Sequence, residues 1–253
     1  MSIVDKLKRR MLLDHLASMV EPPGEDLVTL GSDYGYSTVP KSALKPGAVA
    51  VCVGAGEDIT FDVDLNDAGL DLYCLDPTPR SKAHVDMVLQ GAAEGKDVVS
   101  VSGQPTRYDL SNFNPNLFHF MPVGIWISDE RQKFFAPKKE SKVSHSIVNL
   151  EETEDFFEAD CVTLQTLQKS LSGPVQILKL DIMGAEYEVI KNLVQTQFWV
   201  PVICVELDEC QFPRRPGAKK RVLEIVSLLK GAGYKFVHLK LSNATFVRNG
   251  HPV

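Results

Sequence analysis

The stretch VCVGAGEDITFDVDL, residues 51–65, decides the fold. Val51-Cys52-Val53 closes a β-branched apolar run that begins at Ala48, and Gly54-Ala55-Gly56 follows as a tight turn. Strand, glycine turn and helix open a doubly wound α/β unit, with the turn at the carboxyl end of the strand where such sheets bind ligands. The chemistry after the turn is less ordinary. Glu57 and Asp58 stand where the helix begins. Backbone N–H groups at such a turn usually receive a phosphate, and two carboxylates would repel one. A dinucleotide fingerprint also needs a third glycine, where this chain has Ile59. S-adenosylmethionine has no phosphate and carries a sulfonium and an α-ammonium. Carboxylates beside the turn attract it, since opposite charges at contact distance do so. The plainer alternative is that the two acids complement the helix dipole.

Downstream, DLYCLDPTPR ends a second strand on Asp76, 22 positions after Gly54. An acid at that spacing commonly accepts hydrogen bonds from an adenosine ribose. Further short, nearly continuous apolar runs follow at Phe118–Trp126, Val175–Leu180 and Val202–Leu207. Such runs read as strands covered on both faces. Helical periodicity appears at 184–195 and in GAKKRVLEIVSLLKGAGY, where Val222, Ile225, Val226 and Leu229 share a face. YKFVHLKLSNATFVRN reads as a closing hairpin that adds an antiparallel strand at one edge. The expectation is an α/β fold, a mainly parallel sheet with helices on both faces. Residues 103–117 and 128–160 read as long polar insertions.

Before the regular pattern, residues 1–45 read as a helix and a lid segment, with the main domain over 46–253. Val4, Leu7, Met11 and Leu12 or Leu13 suggest an amphipathic helix packed on the domain. Its run Lys6-Leu7-Lys8-Arg9-Arg10 leaves a membrane-surface helix as the lesser reading. The charges throughout this segment do not suit a secretory signal peptide, and no apolar stretch reaches a membrane span.

The 253-residue chain has a formal net charge of −6, which argues against nucleic acid as a partner. Five cysteines, Cys52, Cys74, Cys161, Cys204 and Cys210, show no metal-ligand or redox spacing. They suit the reducing cytoplasm.

ILKLDIMGAEYEVIKNL (177–193) resembles a motif of the FkbM family of S-adenosylmethionine-dependent methyltransferases. GAGEDITFDVDL, LDPTPRS, FHFMPVGIWISDE, VSHSIVNL and, more loosely, VICVELDE are similar to one branch of that family, in family order. The resemblance implies a class I methyltransferase fold, a Rossmann-like, mainly parallel seven-stranded sheet. It implies that Gly54, Ala55, Gly56 and Asp58 line the methionine end of the cofactor. Asp76 would bind ribose, Pro77 shape the strand exit, and Gly124 and Ile125 lie near adenine. Asp181 would face the methyl group. Met183 stands where the family usually has Glu, and a thioether neither moves a proton nor accepts a strong hydrogen bond.

Methyl transfer to oxygen needs alignment and a base. Asp181 is the first candidate; as a structural residue it would cap the following helix. Glu206 is the second, and His145 in the long loop the third. Asp181, Glu206 and Asp208 are alternatively an oxygen set for magnesium, the lesser reading, and no metal is expected. Tyr34 and Tyr36 would close over the cofactor. The leading expectation is an O-methyltransferase acting on a small-molecule or glycan hydroxyl. Its rivals are a cofactor-binding protein with a degenerate site and a nicotinamide-dependent oxidoreductase.

Overall fold

Alternate residues of one central strand feed two separate cores. In a computed structural model, which describes residues 3–99, 107–138 and 144–250, that strand is β3. In chain order the elements are α1 (Ile3–Ala17), β1 (Leu27–Leu30), β2 (Ser37–Pro40), β3 (Val49–Val53), α2 (Thr60–Asp67), β4 (Asp71–Leu75), α3 (Pro79–Glu94), β5 (Phe118–Met121) and β6 (Gly124–Ile125). There follow β7 (Arg131–Phe135), β8 (Phe156–Val162), α4 (Leu164–Gln168), β9 (Val175–Leu180), α5 (Glu186–Gln195), β10 (Val202–Glu206), α6 (Ala218–Gly231), β11 (Tyr234–Lys240) and β12 (Asn243–Arg248).

Val49, Val51 and Val53 join Leu178, Leu180, Ile203 and Val205 in a core with α1, α4, α5 and α6. Ala50 and Cys52 join Leu72, Cys74, Ile177 and Cys204 in a core with α2, α3 and β2. Every residue of β3 and β4 is buried, as a sheet covered on both faces requires. The seven strands run β11-β12-β10-β9-β3-β4-β5. β10, β9, β3, β4 and β5 pair in parallel, and β12 lies antiparallel to both β10 and β11. The antiparallel strand is therefore second from the edge, and β11 forms the rim.

Two sequence expectations are corrected. The run Phe118–Trp126 splits: Phe118–Met121 stays in the main sheet, while Gly124–Ile125 leaves it to pair with β8. The supposed insertion 128–160 contains β7 and most of β8, an antiparallel pair with register Arg131↔Asp160 to Phe135↔Phe156. The expected α1 also exists but presents a different face. Leu12, Leu16 and Asp5 are buried, while Val4, Leu7 and Met11 are exposed. Leu12 and Leu16 enter the core, and Asp5 accepts from Arg214 Nε at 2.6 Å.

The β1–β2 hairpin packs on β10 and β12. Thr245 Oγ1 donates to the Thr38 carbonyl at 2.6 Å, and Tyr36 Oη donates to the Lys240 carbonyl at 3.1 Å. No described helix is long and apolar enough to cross a membrane.

Candidate functional site

The carboxyl ends of β3, β4, β9 and β10 meet at a cavity of about 560 Å³, within the roughly 300–1,000 Å³ usual for small-molecule sites. The glycine turn is its keystone. Asp181 N donates to Val53 O at 3.0 Å, and Gly54 N donates to Leu75 O at 2.9 Å, so the turn is tied to both flanking strands. Gly54 has φ +93°, and a Cβ there would lie 1.9 Å from the Asp181 carbonyl oxygen. Glycine is needed for this backbone approach as well as for conformation.

Asp76 pins the same turn. Its Oδ2 accepts from Ala55 N (3.0 Å) and Gly56 N (3.1 Å), and its Oδ1 from Thr78 N (2.8 Å) and Thr78 Oγ1 (2.6 Å). A carboxylate offers about four lone-pair positions, and all are filled from within the protein. Thr78 in turn caps α3, its side chain accepting from Ser81 N.

The acids after the turn are likewise engaged. Arg80 grips Glu57 with two bonds, Nε to Oε1 and Nη2 to Oε2, each 3.0 Å. Asp58 is buried; Thr60 N and Thr60 Oγ1 donate to its Oδ1 (2.9 and 2.6 Å), and Ser32 Oγ donates to its Oδ2 (2.7 Å). Their partners lie up to 26 residues away in sequence and neutralise or fix them.

The unbalanced charge sits instead at the ends of β9 and β10. Carboxylate oxygens of Asp181, Glu206 and Asp208 lie within 4.8 Å of one another. Ser242 Oγ donates to Glu206 Oε1 at 3.0 Å. Lys179 Nζ, on a side chain only 5% exposed, stands 3.6 Å from Asp181 Oδ2. Burial alone would lower the lysine's pKa, but Asp181 and Asp62 outweigh it and hold the ammonium protonated. Burial, then Asp181, pushes Glu206 up to about 7. Burial, foremost, takes Glu186 to about 8, and burial followed by Glu186 raises Asp208 well above the carboxylate range. Asp181 does not cap α5. Ala185 occupies the N-cap without a side-chain bond, and Glu186 reaches back to accept from Ile182 N at 2.8 Å.

Gly54, Ala55, Gly56, Asp58, Asp76, Pro77, Gly124, Ile125, Tyr36, Asp181, Glu206 and His145 all line this one cavity. His145 meets the Phe157 ring edge-on at 5.2 Å between centroids. Gly124 is fenced in, since a Cβ would lie 2.7 Å from both Cys161 Sγ and Phe134 Cζ. Met183 also lines the cavity with φ +53°, rare for a side-chain-bearing residue, and Ser146 Oγ donates to its carbonyl at 2.7 Å. Sequence reasoning missed Arg9 on α1, Phe134 on β7 and Lys179 on β9, which line the cavity too. Lys179 left a signal: it is the one charge inside the apolar run VQILKL.

The Methyltransferase FkbM domain matches residues 78–236. The chain belongs to the FkbM methyltransferase family. No curated protein matches it. Among solved structures, methyltransferase FkbM from Methylobacillus flagellatus KT aligns with a TM-score of 0.43 at 10% identity, over 80% of this chain and 43% of that one. The Methanococcus jannaschii fibrillarin pre-rRNA processing protein gives 0.42 at 12% identity, over 83% and 70%. Magnesium protoporphyrin IX methyltransferase from Synechocystis PCC 6803, with bound SAH, gives 0.38 at 12%, over 98% and 88%. This FkbM-family chain thus spans less than half the length of the Methylobacillus flagellatus protein.

Proposed function

We propose that this chain is an S-adenosylmethionine-dependent methyltransferase that modifies a hydroxyl of a small molecule or glycan. The observation that carries the reading is the abutment of Gly54 on the Asp181 backbone, which sets the cofactor-type turn beside the residue whose carboxylate would receive the proton. When bound, the cofactor supplies an electrophilic methyl group. Asp76 and the turn N–H groups form its ribose end. Thr78 Oγ1 also lies 2.7 Å from Ser81 Oγ, so its proton has a second acceptor, and turning it there frees a position on Asp76 for a ribose hydroxyl. Gly124, Ile125 and Phe134 offer the apolar wall for a flat base.

Asp33, Asp58, Asp76, Asp181, Glu206 and Asp208 line the cavity, besides Glu57, which Arg80 neutralises, against Arg9 and Lys179. That balance favours a cationic cofactor over a dinucleotide and disfavours a nucleic-acid acceptor. Asp181, Glu206 and His145 are the groups that can orient an acceptor hydroxyl and receive its proton. The five cysteines are buried and free, in keeping with a reducing, cytoplasmic setting.

Calorimetric titration with S-adenosylmethionine, S-adenosylhomocysteine and NAD, each alone, tests the reading. Binding of both adenosyl compounds and not NAD, lost in Asp76→Asn with the fold intact, is expected. NAD binding alone overturns it. Cofactor binding with no transfer to any hydroxyl acceptor supports the degenerate-site alternative, which Met183 favours.

A further inference from the structure

We infer that the solvent face of α1 is a docking surface for an anionic lipid bilayer. The helix has two apolar faces, and the fold uses one of them. Leu12 and Leu16 enter the core, and α1 packs on the turn Asp208–Gln211. Ile3, Val4, Leu7 and Met11 remain between 56 and 86% exposed. Residues three and four apart are neighbours on a helix surface, so these four side chains form one continuous stripe. Single exposed apolar residues are ordinary, whereas a contiguous apolar patch rimmed by polar groups marks an interaction surface.

The charges around the stripe select its occupant. By helical spacing, Lys8 borders it on one side and Lys6 and Arg10 on the other, and all three are exposed. Residues 3–17 carry four basic and two acidic side chains in a chain whose net charge is −6, so cations gather where the apolar stripe is. Of the two acids, Asp5 is buried and pairs with Arg214. Asp14 lies three residues beyond Met11, 3.8 Å from Arg10 Nε. An apolar stripe edged by Lys and Arg is the pattern of a helix that lies in the headgroup layer, its apolar side chains at the acyl boundary and its cations on anionic lipid. The acidity of the rest of the chain is screened beyond about 8 Å at physiological salt, so it does not cancel attraction at contact. A second copy of the chain fits this face worse, because a two-fold contact centred on Leu7 sets Lys6 against Lys8 of the copy. Arg9, across the helix from Leu7, lines the cavity, so one helix walls the site and carries the docking face. The inference stands apart from the methyltransferase reading, since binding to lipid needs no cofactor.

The test is flotation of the full-length chain with two kinds of vesicle, phosphatidylcholine alone and an equal mixture of phosphatidylcholine and phosphatidylserine, at physiological salt and without cofactor. Tighter binding to the mixed vesicles is expected. Lys6→Gln and Lys8→Gln should each weaken it by roughly 5-fold, the worth of one cation near an anionic surface. Leu7→Gln should weaken it by at least about 10-fold, the worth of one buried leucine side chain. Asp14→Asn should tighten it, because an acid leaves the face. Met87→Gln, which removes an exposed methionine on α3, should leave it unchanged. Melting curves confirm that each variant is folded, as substitution of exposed side chains should allow. No binding to the mixed vesicles at millimolar lipid overturns the inference, and so does equal binding by the wild type, Leu7→Gln and Lys8→Gln. Sedimentation equilibrium without lipid addresses the rival occupant. A monomer is expected, and a dimer that Leu7→Gln dissociates assigns the face to a second copy and overturns the lipid reading.

Discussion

The two ends of the cavity treat negative charge in opposite ways. At the β3–β4 end, Asp76 and Asp58 accept at both oxygens, and Glu57 is held by Arg80. At the β9–β10 end, Asp181, Glu206 and Asp208 crowd one another, and the partner of the Asp208 carboxyl is another carboxyl, that of Glu186. The first end has its acids hydrogen-bonded within the protein, which holds the turn in one shape. The second stores electrostatic cost in the folded chain, and such cost persists at functional sites because a ligand relieves it. An acid near a cavity therefore says little by itself; what matters is whether its lone pairs are already answered.

Four substitutions press on that contrast. Gly54→Ala should do the most damage. It adds a Cβ 1.9 Å from the Asp181 carbonyl at φ +93°, so strain and overpacking together should exceed about 3 kcal/mol. Chemical denaturation reads the loss, and a stable variant would mean that the turn gives way easily. Asp76→Asn should cost about 1–3 kcal/mol, because buried donors lose an acceptor, with adenosyl binding abolished. Asp208→Asn should move the other way. In metal-free buffer it should stabilise the chain by about 1 kcal/mol, since a poorly paired buried charge disappears. The sign with pH follows from the raised carboxyl of Asp208. The folded chain holds that proton more tightly than the unfolded one, so the wild type loses stability as pH climbs above about 4. The advantage of the variant should grow over the same range and vanish in acid. Equal destabilisation by Asp76→Asn and Asp208→Asn would erase the difference between the two ends. Glu57→Gln should matter least, below about 1 kcal/mol by thermal melt, because its partner Arg80 is 46% exposed.

Much of the architecture is legible in the chain because parallel strands covered on both faces must be written in continuous β-branched runs. Val175–Leu180 stands as read, and the hairpin turns at Leu241-Ser242, one residue before the expected Ser242-Asn243. The pair β7–β8 escaped because one face stays in solvent: Arg131–Phe135 and Phe156–Val162 alternate exposed and covered residues and read as polar insertion. The turn of α1 escaped for a different reason. Asp5 is buried and pairs with Arg214, a partner 209 residues away, while a helical wheel turns Val4, Leu7 and Met11 inward with Leu12. At the site, residue types and spacing located the walls of the cavity. They did not reveal which acids were satisfied, because Ser32, Thr78 and Arg80 answer them through the folded geometry.

The hairpin of β1 and β2 has a consequence for how the chain is made. Its anchors, Lys240 and Thr245, come 204 and 207 residues after Tyr36 and Thr38. At about 5–20 residues per second, a ribosome needs roughly 10–40 s to supply them. Through that interval the segment has its bonds to α2 and the turn before it, Gly31 N to Asp64 and Ser32 to Asp58, but not its anchors on β11 and β12, and closing so long a loop is a late, slow step in folding. Pulse-labelled nascent chains truncated before Tyr234 should leave residues 27–40 open to protease, and the full-length chain should protect them.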